Sequence, residues 1–213
     1  MSTTLSFTQR DHELLPAVVQ KVRLFGLRQV AEHWWDGDTA NARRRLKQYA
    51  AAGLIERIEV QARPLPQLTQ PVLSWRPQEA EPNFDAVAYK LQVRWKSTPV
   101  RPCSAFVATE RLAQHYGGRR SGELKHPLQA THDLGVAQIW LQLQATATAW
   151  ADAWRGEDIL AHTRRGEKCP DAFIVNEQQE VFCVIEFGGA YSAQRVREFH
   201  EDCVERNLPY QLW

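Results

Sequence analysis

The chain has 213 residues, and its 26 lysines and arginines nearly balance 25 aspartates and glutamates, giving a formal net charge of +1. Hydrophobic residues make up 44% of the chain, which is enough for a packed core and excludes an intrinsically disordered protein. Because the overall charge is close to zero, any surface that binds nucleic acid must be a local concentration of positive charge.

The cysteines and the hydrophobic segments narrow the class of protein further. The four cysteines are scattered, with no CxxC pair and no histidine at ligand spacing: Cys103, Cys169, Cys183 and Cys203. This pattern disfavours both a structural zinc site and a disulfide framework. No run of about 18 apolar residues is present, and the first residues lack the pattern of a signal peptide. We therefore expect a cytoplasmic protein with free thiols that does not enter a membrane.

Three helical patterns occupy the first part of the chain. Apolar side chains recur at helical spacing in residues 9–24, and residues 27–34 form a second, shorter pattern. Asp38 or Thr39 provides the N-cap of a third helix, because a short side-chain oxygen accepts hydrogen bonds from the free amides of the first turn. Gly53 is the residue type that commonly ends a helix, so we expect the third helix to stop there.

The third helix is predicted to have an apolar inner face and a basic outer face. The predicted inner face consists of Ala42, Leu46, Tyr49 and Ala50. The predicted DNA-binding residues are Asn41, Arg43, Arg44, Arg45, Lys47 and Gln48. Arginine and lysine neutralise phosphates and bind guanine edges, and asparagine and glutamine can pair with adenine. This residue set therefore favours contact with double-stranded DNA.

Two strand patterns follow the third helix, at residues 54–60 and 71–75, and we predict that they pair as a hairpin. Three helices followed by a hairpin resemble a winged helix-turn-helix module, whose third helix enters the major groove. We therefore predict a DNA-binding domain over residues 1–76. A basic, solvated helix on a bundle that binds protein is the alternative interpretation.

The middle of the chain carries weaker signals. Residues 76–84 are polar and contain proline, which is typical of a linker. We interpret residues 77–130 as a connecting region, with a helix after the linker, a short strand at 104–108 and a further helix at 109–116. Residues 117–125 are basic and rich in glycine, and we expect a solvated loop.

The order of elements in residues 131–213 predicts a second domain and an overall α/β (α+β) fold. The predicted elements are a helix from Thr131 to about Ala147, strands at 169–175 and 181–186, a helix that begins at Ser192 and a last strand at 208–213. The run of apolar residues at 181–185 indicates a buried strand.

Two acidic residues stand out in the predicted hairpin of this domain. If residues 176–179 form its loop, Asp171 lies opposite Val184. Glu186 is two positions further along, so the two carboxylates share one face of the sheet. Such a pair repels and loses hydration, and a divalent cation relieves both penalties. The pattern predicts a Mg²⁺ site that could activate water and stabilise the charge developing on a phosphodiester.

The element order and these acidic residues resemble the PD-(D/E)XK nuclease superfamily. Pro170-Asp171 corresponds to its first motif and Glu186-Phe187-Gly188 to its second. The resemblance implies a restriction-endonuclease-like αβββαβ domain in which Asp171 and Glu186 are catalytic and bind the metal. The lysine of the superfamily is replaced by Gly188, and we consider Lys168 or Arg195 as candidates to supply its charge.

The whole chain also resembles the replication-relaxation family of plasmid and mobile-element proteins. The resemblance implies a winged helix ahead of a nuclease-like region, with a segment such as His132-Asp133-Leu134 before the Pro-Asp strand. It makes His132 a further catalytic candidate, although a capping or packing histidine at a helix start is the alternative.

Several readings of the function remain open at this point. One is a Mg²⁺-dependent DNA endonuclease, and another is a catalytically inactive regulator of replication or transcription that uses the nuclease-like fold structurally. A third is a protein-interaction module without DNA contact. A salt bridge from Glu186 to Arg195 or Arg197 is the alternative to a metal site, and a homodimer is an open alternative to a monomer.

Overall fold

The computed structural model describes residues 5–118, 129–157 and 169–213. The fold is mixed α/β, as expected from the sequence, and its strands form two separate sheets. The chain divides into two compact units, and each is built from segments that are distant in sequence. The first unit comprises Met1–Ala62 and Arg101–Ala137, and the second comprises Arg63–Val100 and Gln138–Trp213.

The described residues form the following helices and strands. In chain order they are α1 (Gln9–Gln20), β1 (Leu24–Gly26), α2 (Leu27–Trp34), α3 (Thr39–Ala51), β2 (Ile55–Ala62), β3 (Leu73–Trp75), α4 (Phe84–Val93), β4 (Arg101–Ala108), α5 (Glu110–His115), α6 (Gln129–Thr146), α7 (Thr148–Ala153), β5 (Trp154–Gly156), β6 (Ala172–Val175), β7 (Val181–Glu186), α8 (Ala193–Glu205) and β8 (Tyr210–Leu212).

The ends of α3 and α8 follow from local chemistry. The Asp38 carboxylate accepts hydrogen bonds from the amides of Ala40 and Asn41, each at 3.0 Å, and the Ser192 hydroxyl accepts from the amide of Arg195 at 3.2 Å. Gly53 has a φ of +67°, the left-handed conformation that glycine adopts without strain after a helix. These predicted caps and the predicted end of α3 are confirmed.

The first unit contains a three-stranded antiparallel sheet in the order β1-β4-β2. Strand β2 pairs with β4 along its whole length, from Ile55 opposite Ala108 to Ala62 opposite Arg101. The predicted hairpin between residues 54–60 and 71–75 is wrong, because β3 pairs with β8 in the other sheet. The apolar residues of β3 were suitable for a strand, but their partner lies at the far end of the sequence.

In the described part of the second unit, five strands form a sheet in the order β3-β8-β7-β6-β5, and only its β7–β8 pair is parallel. Helices α4 and α8 pack together over this sheet. The buried cluster between them consists of Trp75, Phe84, Val87, Ala88, Leu91, Phe173, Val175, Val184, Val196, Phe199, Cys203, Tyr210 and Leu212. Among the described residues of this unit, the C-terminal elements are, in chain order, α7, β5, β6, β7, α8 and β8.

The limits of the two units differ from the predicted domain boundaries at residues 76 and 130. The segment predicted as a linker, residues 76–84, leads directly into α4 and belongs to the second unit. Segment 63–100, which follows β2 and precedes β4, supplies β3 and α4 to the second unit. The last boundary, after Ala137, falls within α6, which begins at Gln129 rather than at a Thr131 cap.

Candidate DNA interface and buried acidic pair

The outer face of α3 carries exposed basic side chains. Arg43, Arg44, Lys47 and Gln48 are exposed, whereas Asn41 is half-buried and donates a hydrogen bond to Asp38. Ala42, Leu46 and Tyr49 form the inner face, as predicted, but Ala50 is exposed. The helix therefore presents most of its predicted DNA-binding side chains to solvent.

Arg45 differs from the other predicted DNA-binding residues because its guanidinium is engaged within the protein. It donates to the Asp11 carboxylate, from Nε at 3.1 Å and from Nη2, and to the backbone oxygen of Ser6 at 2.6 Å. Its Nη1 donates to Gln48 at 2.9 Å. Arg45 thus joins α3 to α1 and to the segment before α1.

Asp11 is the centre of this network, and the sequence reasoning missed it. The residue is 1% exposed, and its carboxylate also accepts from the Tyr49 hydroxyl and from the amide of Thr8. Burial alone would raise the pKa of Asp11, but the hydrogen bonds from Arg45, Tyr49 and Thr8 outweigh burial and hold the pKa below its usual value. An acidic residue in the first turn of a helix ordinarily indicates only a favourable helix terminus, so it carried no signal of burial.

Arg43, Arg44 and Lys47 form an exposed basic ridge along α3, and two depressions flank this ridge. One has a volume of about 500 Å³ and is lined by Arg43, Lys47 and Arg57 together with apolar residues. The other has a volume of about 340 Å³, and its lining includes Arg10, Trp35 and Arg44.

Two of the basic residues in these depressions lie outside α3 and were not identified from the sequence. The Arg10 guanidinium lies 5.7 Å from the centre of the Trp35 ring. Arg57 donates to the Ser104 hydroxyl at 2.9 Å and to the Glu59 carboxylate at 2.5 Å. Part of the positive charge of Arg57 is therefore offset by Glu59, whereas Arg10 adds its charge beside an aromatic ring.

The two predicted metal ligands lie at neighbouring strand ends in the second unit. Ala172 pairs with Ile185, so Asp171 immediately precedes β6 where Glu186 ends β7. The predicted pairing of Asp171 with Val184 is wrong, because Phe173 occupies that position. An irregularity between Ile174 and Val175 shifts the register, and a bulge of this kind is not visible in the pattern of apolar residues.

Both carboxylates of this acidic pair are buried, with Asp171 8% and Glu186 6% exposed. The Phe187 amide donates to Asp171 Oδ2 at 2.7 Å, and the Asp171 amide donates to Glu186 Oε2 at 3.3 Å. The Tyr191 hydroxyl donates to Glu186 Oε1 at 2.5 Å. Each carboxylate therefore has hydrogen-bond donors supplied by the protein.

The other predicted catalytic residues differ in their surroundings. Lys168 lies outside the described residues, and His132 belongs to the first unit, where its Nδ1 lies 3.3 Å from Asp133. Arg195 lies 3.6 Å from Glu198, with its guanidinium 5.2 Å from the centre of the Tyr191 ring. Arg197 pairs with Glu81 at 3.0 Å.

Asp171 and Glu186 are the residues that would hold a Mg²⁺ ion in the second unit. Magnesium requires about six oxygen ligands in octahedral geometry. Across residues 5–118, 129–157 and 169–213, no three histidine, cysteine, aspartate or glutamate side chains are grouped so that they could hold a metal ion. Three oxygens of Asp171 and Glu186 accept hydrogen bonds from protein donors. The described residues therefore bring two carboxylates to this position, without a third acidic, imidazole or thiolate side chain beside them.

The comparison with protein families agrees with the resemblance noted in the sequence. The two units define a mixed α/β protein with a basic helical surface and a buried acidic pair. The family model described as replication-relaxation matches residues 17–197, and the chain belongs to this family. No curated protein and no solved structure matches the chain. Within the described residues, no helix has both the length and the apolar character needed to cross a membrane.

Proposed function

We propose that this protein binds duplex DNA in the replication of a plasmid or mobile element, and that its first unit is a winged helix-turn-helix. Three helices with the antiparallel pair β2 and β4 support this assignment, where β4, and not residues 71–75, is the partner of β2. Membership of the replication-relaxation family agrees with the proposal.

The single observation that carries the proposal is the basic ridge of α3 between two depressions. Arg43 and Lys47 line one depression, and Arg44 lines the other. Ala40 and Ala51 are exposed about three turns apart on the same side of the helix. Their short side chains allow the helix backbone to come close to the edges of bases, while the basic residues extend to both sides.

The dimensions of the major groove suit this arrangement. An α-helix with its side chains has a diameter of roughly 10–12 Å, and the major groove of B-DNA is about 12 Å wide. With α3 in the groove, Arg43, Lys47 and Arg57 face one phosphate backbone, and Arg44 and Arg10 face the other. Most of the affinity then comes from neutralised phosphates and falls as the salt concentration rises.

A matched pair of charge reversals tests this interface. We expect Lys47→Glu to weaken binding to a labelled duplex at least tenfold, measured by fluorescence anisotropy, and to lower the slope of log affinity against log salt by about 1. Lys90→Glu makes the same change at an exposed position of α4 and serves as the control. Equal affinities of the two variants, or an affinity of the wild type that does not depend on salt, would contradict the proposed interface.

We further propose that the protein acts by binding, as a regulator of replication or transcription, rather than by cutting DNA. The observation that favours this form over an endonuclease is the set of protein donors on Asp171 and Glu186. The expected result is that supercoiled DNA incubated with the protein and Mg²⁺ or Mn²⁺ remains uncut at concentrations where the duplex is fully bound. Cleavage that both Asp171→Ala and Glu186→Ala abolish would establish the nuclease instead.

A further inference from the structure

We infer that Asp171, Glu186 and Tyr191 form a metal-independent carboxylate latch that fastens the ends of β6 and β7 to the start of α8. The latch occupies the position in which the nuclease resemblance expects a magnesium centre. This inference concerns the second unit only and does not depend on whether the first unit binds DNA.

The hydrogen bonds of the latch are reciprocal between the two strand ends. The carboxylate of Asp171 accepts from the backbone that follows Glu186, at 2.7 Å, and the carboxylate of Glu186 accepts from the backbone of Asp171, at 3.3 Å. The two side chains thus continue the pairing of β6 with β7 beyond Ala172 and Ile185. The two hydrogen bonds therefore extend the pairing of the strands by one residue at this end.

Tyr191 adds the third part of the latch. Its hydroxyl donates to Glu186 at 2.5 Å, and the residue lies just before α8. Burial raises the pKa of Tyr191, and the negative charge of Glu186 raises it further, so the hydroxyl keeps its proton. A protonated hydroxyl is a donor to Glu186 Oε1, and a cation at that oxygen would compete with it. The Arg195 guanidinium beside the Tyr191 ring places a positive charge near the latch, although Glu198 shares it.

The backbone of Glu186 and the residues after it are fixed as well. The Trp213 amide donates to the backbone oxygen of Glu186 at 2.9 Å, and the Gly188 amide donates to the backbone oxygen of Trp213 at 3.0 Å. The latch therefore lies where β6, β7, the end of β8 and the approach to α8 meet. These hydrogen bonds connect four elements of the second unit at one place, so a structural role suits this position.

Gly188 lies where the nuclease motif has a lysine, and neighbouring side chains leave little room for a Cβ atom at this position. A Cβ atom at this position would lie 2.9 Å from a methyl group of Leu91 and 3.0 Å from one of Leu212. Both leucines are fully buried, at 0% exposure. Any residue with a Cβ at this position therefore requires the methyl groups of Leu91 and Leu212 to shift.

The latch predicts how the full-length protein responds to metal ions and to loss of one hydroxyl group. We expect the Tm to be the same with EDTA as with millimolar Mg²⁺, and Mn²⁺ to give no signal of a bound ion in electron paramagnetic resonance. Tyr191→Phe, which removes only the hydroxyl, should lower the Tm by about 3–8 °C, because it leaves a buried charged group with one donor fewer. Tyr89→Phe removes the hydroxyl of a tyrosine that is 64% exposed and should leave the Tm unchanged.

Either of two results would overturn the latch. One is a wild-type protein that binds Mn²⁺ at one ion per chain, with binding lost in both Asp171→Asn and Glu186→Gln. The other is a Tm of Tyr191→Phe equal to that of Tyr89→Phe. Because none of these measurements uses DNA, a failure of the latch is distinct from a failure of the proposed DNA interface.

Discussion

At the scale of single residues, neighbouring arginines of α3 have different roles. Arg44 is exposed beside the smaller depression, whereas Arg45 is bound to the buried carboxylate of Asp11. Helical spacing predicts that Arg44 lies on the outer face with Arg45 nearby. It does not show that a long side chain at the border of that face bends back towards the protein. The partner on another helix, Asp11, decides which arginine remains available for the proposed contact with DNA.

The pair Arg44→Ala and Arg45→Ala should separate binding from stability. Arg45→Ala leaves the buried Asp11 without its ionic partner, which typically costs about 3 kcal/mol, so thermal unfolding should occur several degrees lower. Arg44→Ala should leave the unfolding temperature within about 1 °C and weaken DNA binding. If both variants unfold at the wild-type temperature, the network around Asp11 does not stabilise the first unit.

His200 should make the stability of the second unit depend on pH. The residue is 6% exposed, its Nδ1 lies 3.0 Å from the Tyr210 hydroxyl, and the rings of Trp75 and Phe84 pack around it. Burial lowers the pKa of His200, and the negative charges of Glu81 and Glu201 offset this only in part. Arg197, over the Phe84 ring, also lowers this pKa.

The sign of the effect follows from that lowered pKa. The unfolded chain binds the proton more readily than the folded one, so stability is complete above the ordinary pKa of 6.5 and is lost as the pH falls below it. We expect the wild type to lose more Tm between about pH 7.5 and about pH 5.5 than His200→Gln does. His33, whose pKa burial also lowers, is common to both proteins, so parallel pH profiles would show that His200 contributes nothing.

At the scale of elements, helix ends could be read from the sequence, but strand partners could not. Asp38, Gly53 and Ser192 act through the nearest turn of backbone, so their effect is visible in a few adjacent residues. Strand β3 was recognised as a strand, yet its partner β8 depends on the fold of the whole second unit. The candidate DNA interface could not be predicted in full for the same reason. Arg57 and Arg10 lie beside the α3 ridge because of the tertiary fold, which residue spacing in the sequence does not reveal.

The packing of α4 against the sheet is tight enough at Gly188 to be tested by a double-mutant cycle. Gly188→Ala should destabilise the second unit by about 1–3 kcal/mol, because the added methyl group meets Leu91 and Leu212 at about 3 Å. In a Leu91→Ala background, space is available and the same substitution should cost far less. If the losses of unfolding free energy are additive in chemical denaturation, the contact between the added methyl group and Leu91 does not destabilise the protein.

At the scale of the whole molecule, the two units cannot be separated by a single cut. The predicted winged helix over residues 1–76 lacks β4, which is the central strand of the first sheet. We expect a fragment of residues 1–76 to show no cooperative unfolding by circular dichroism, because neither β1 nor β2 has a strand to pair with. A cooperative transition in this fragment would mean that its helices fold independently of the sheet.

The pairing of β3 with β8 also bears on the order in which the protein takes shape on the ribosome. Strand β3 leaves the ribosome long before residues Tyr210–Leu212 are made, and the sheet order places β8 between β3 and β7. Until β8 has been synthesised, the nascent chain carries β3 and the apolar face of α4 without their final partners. Such exposed apolar segments favour aggregation during slow synthesis, so chaperones that bind nascent chains should raise the yield of folded protein.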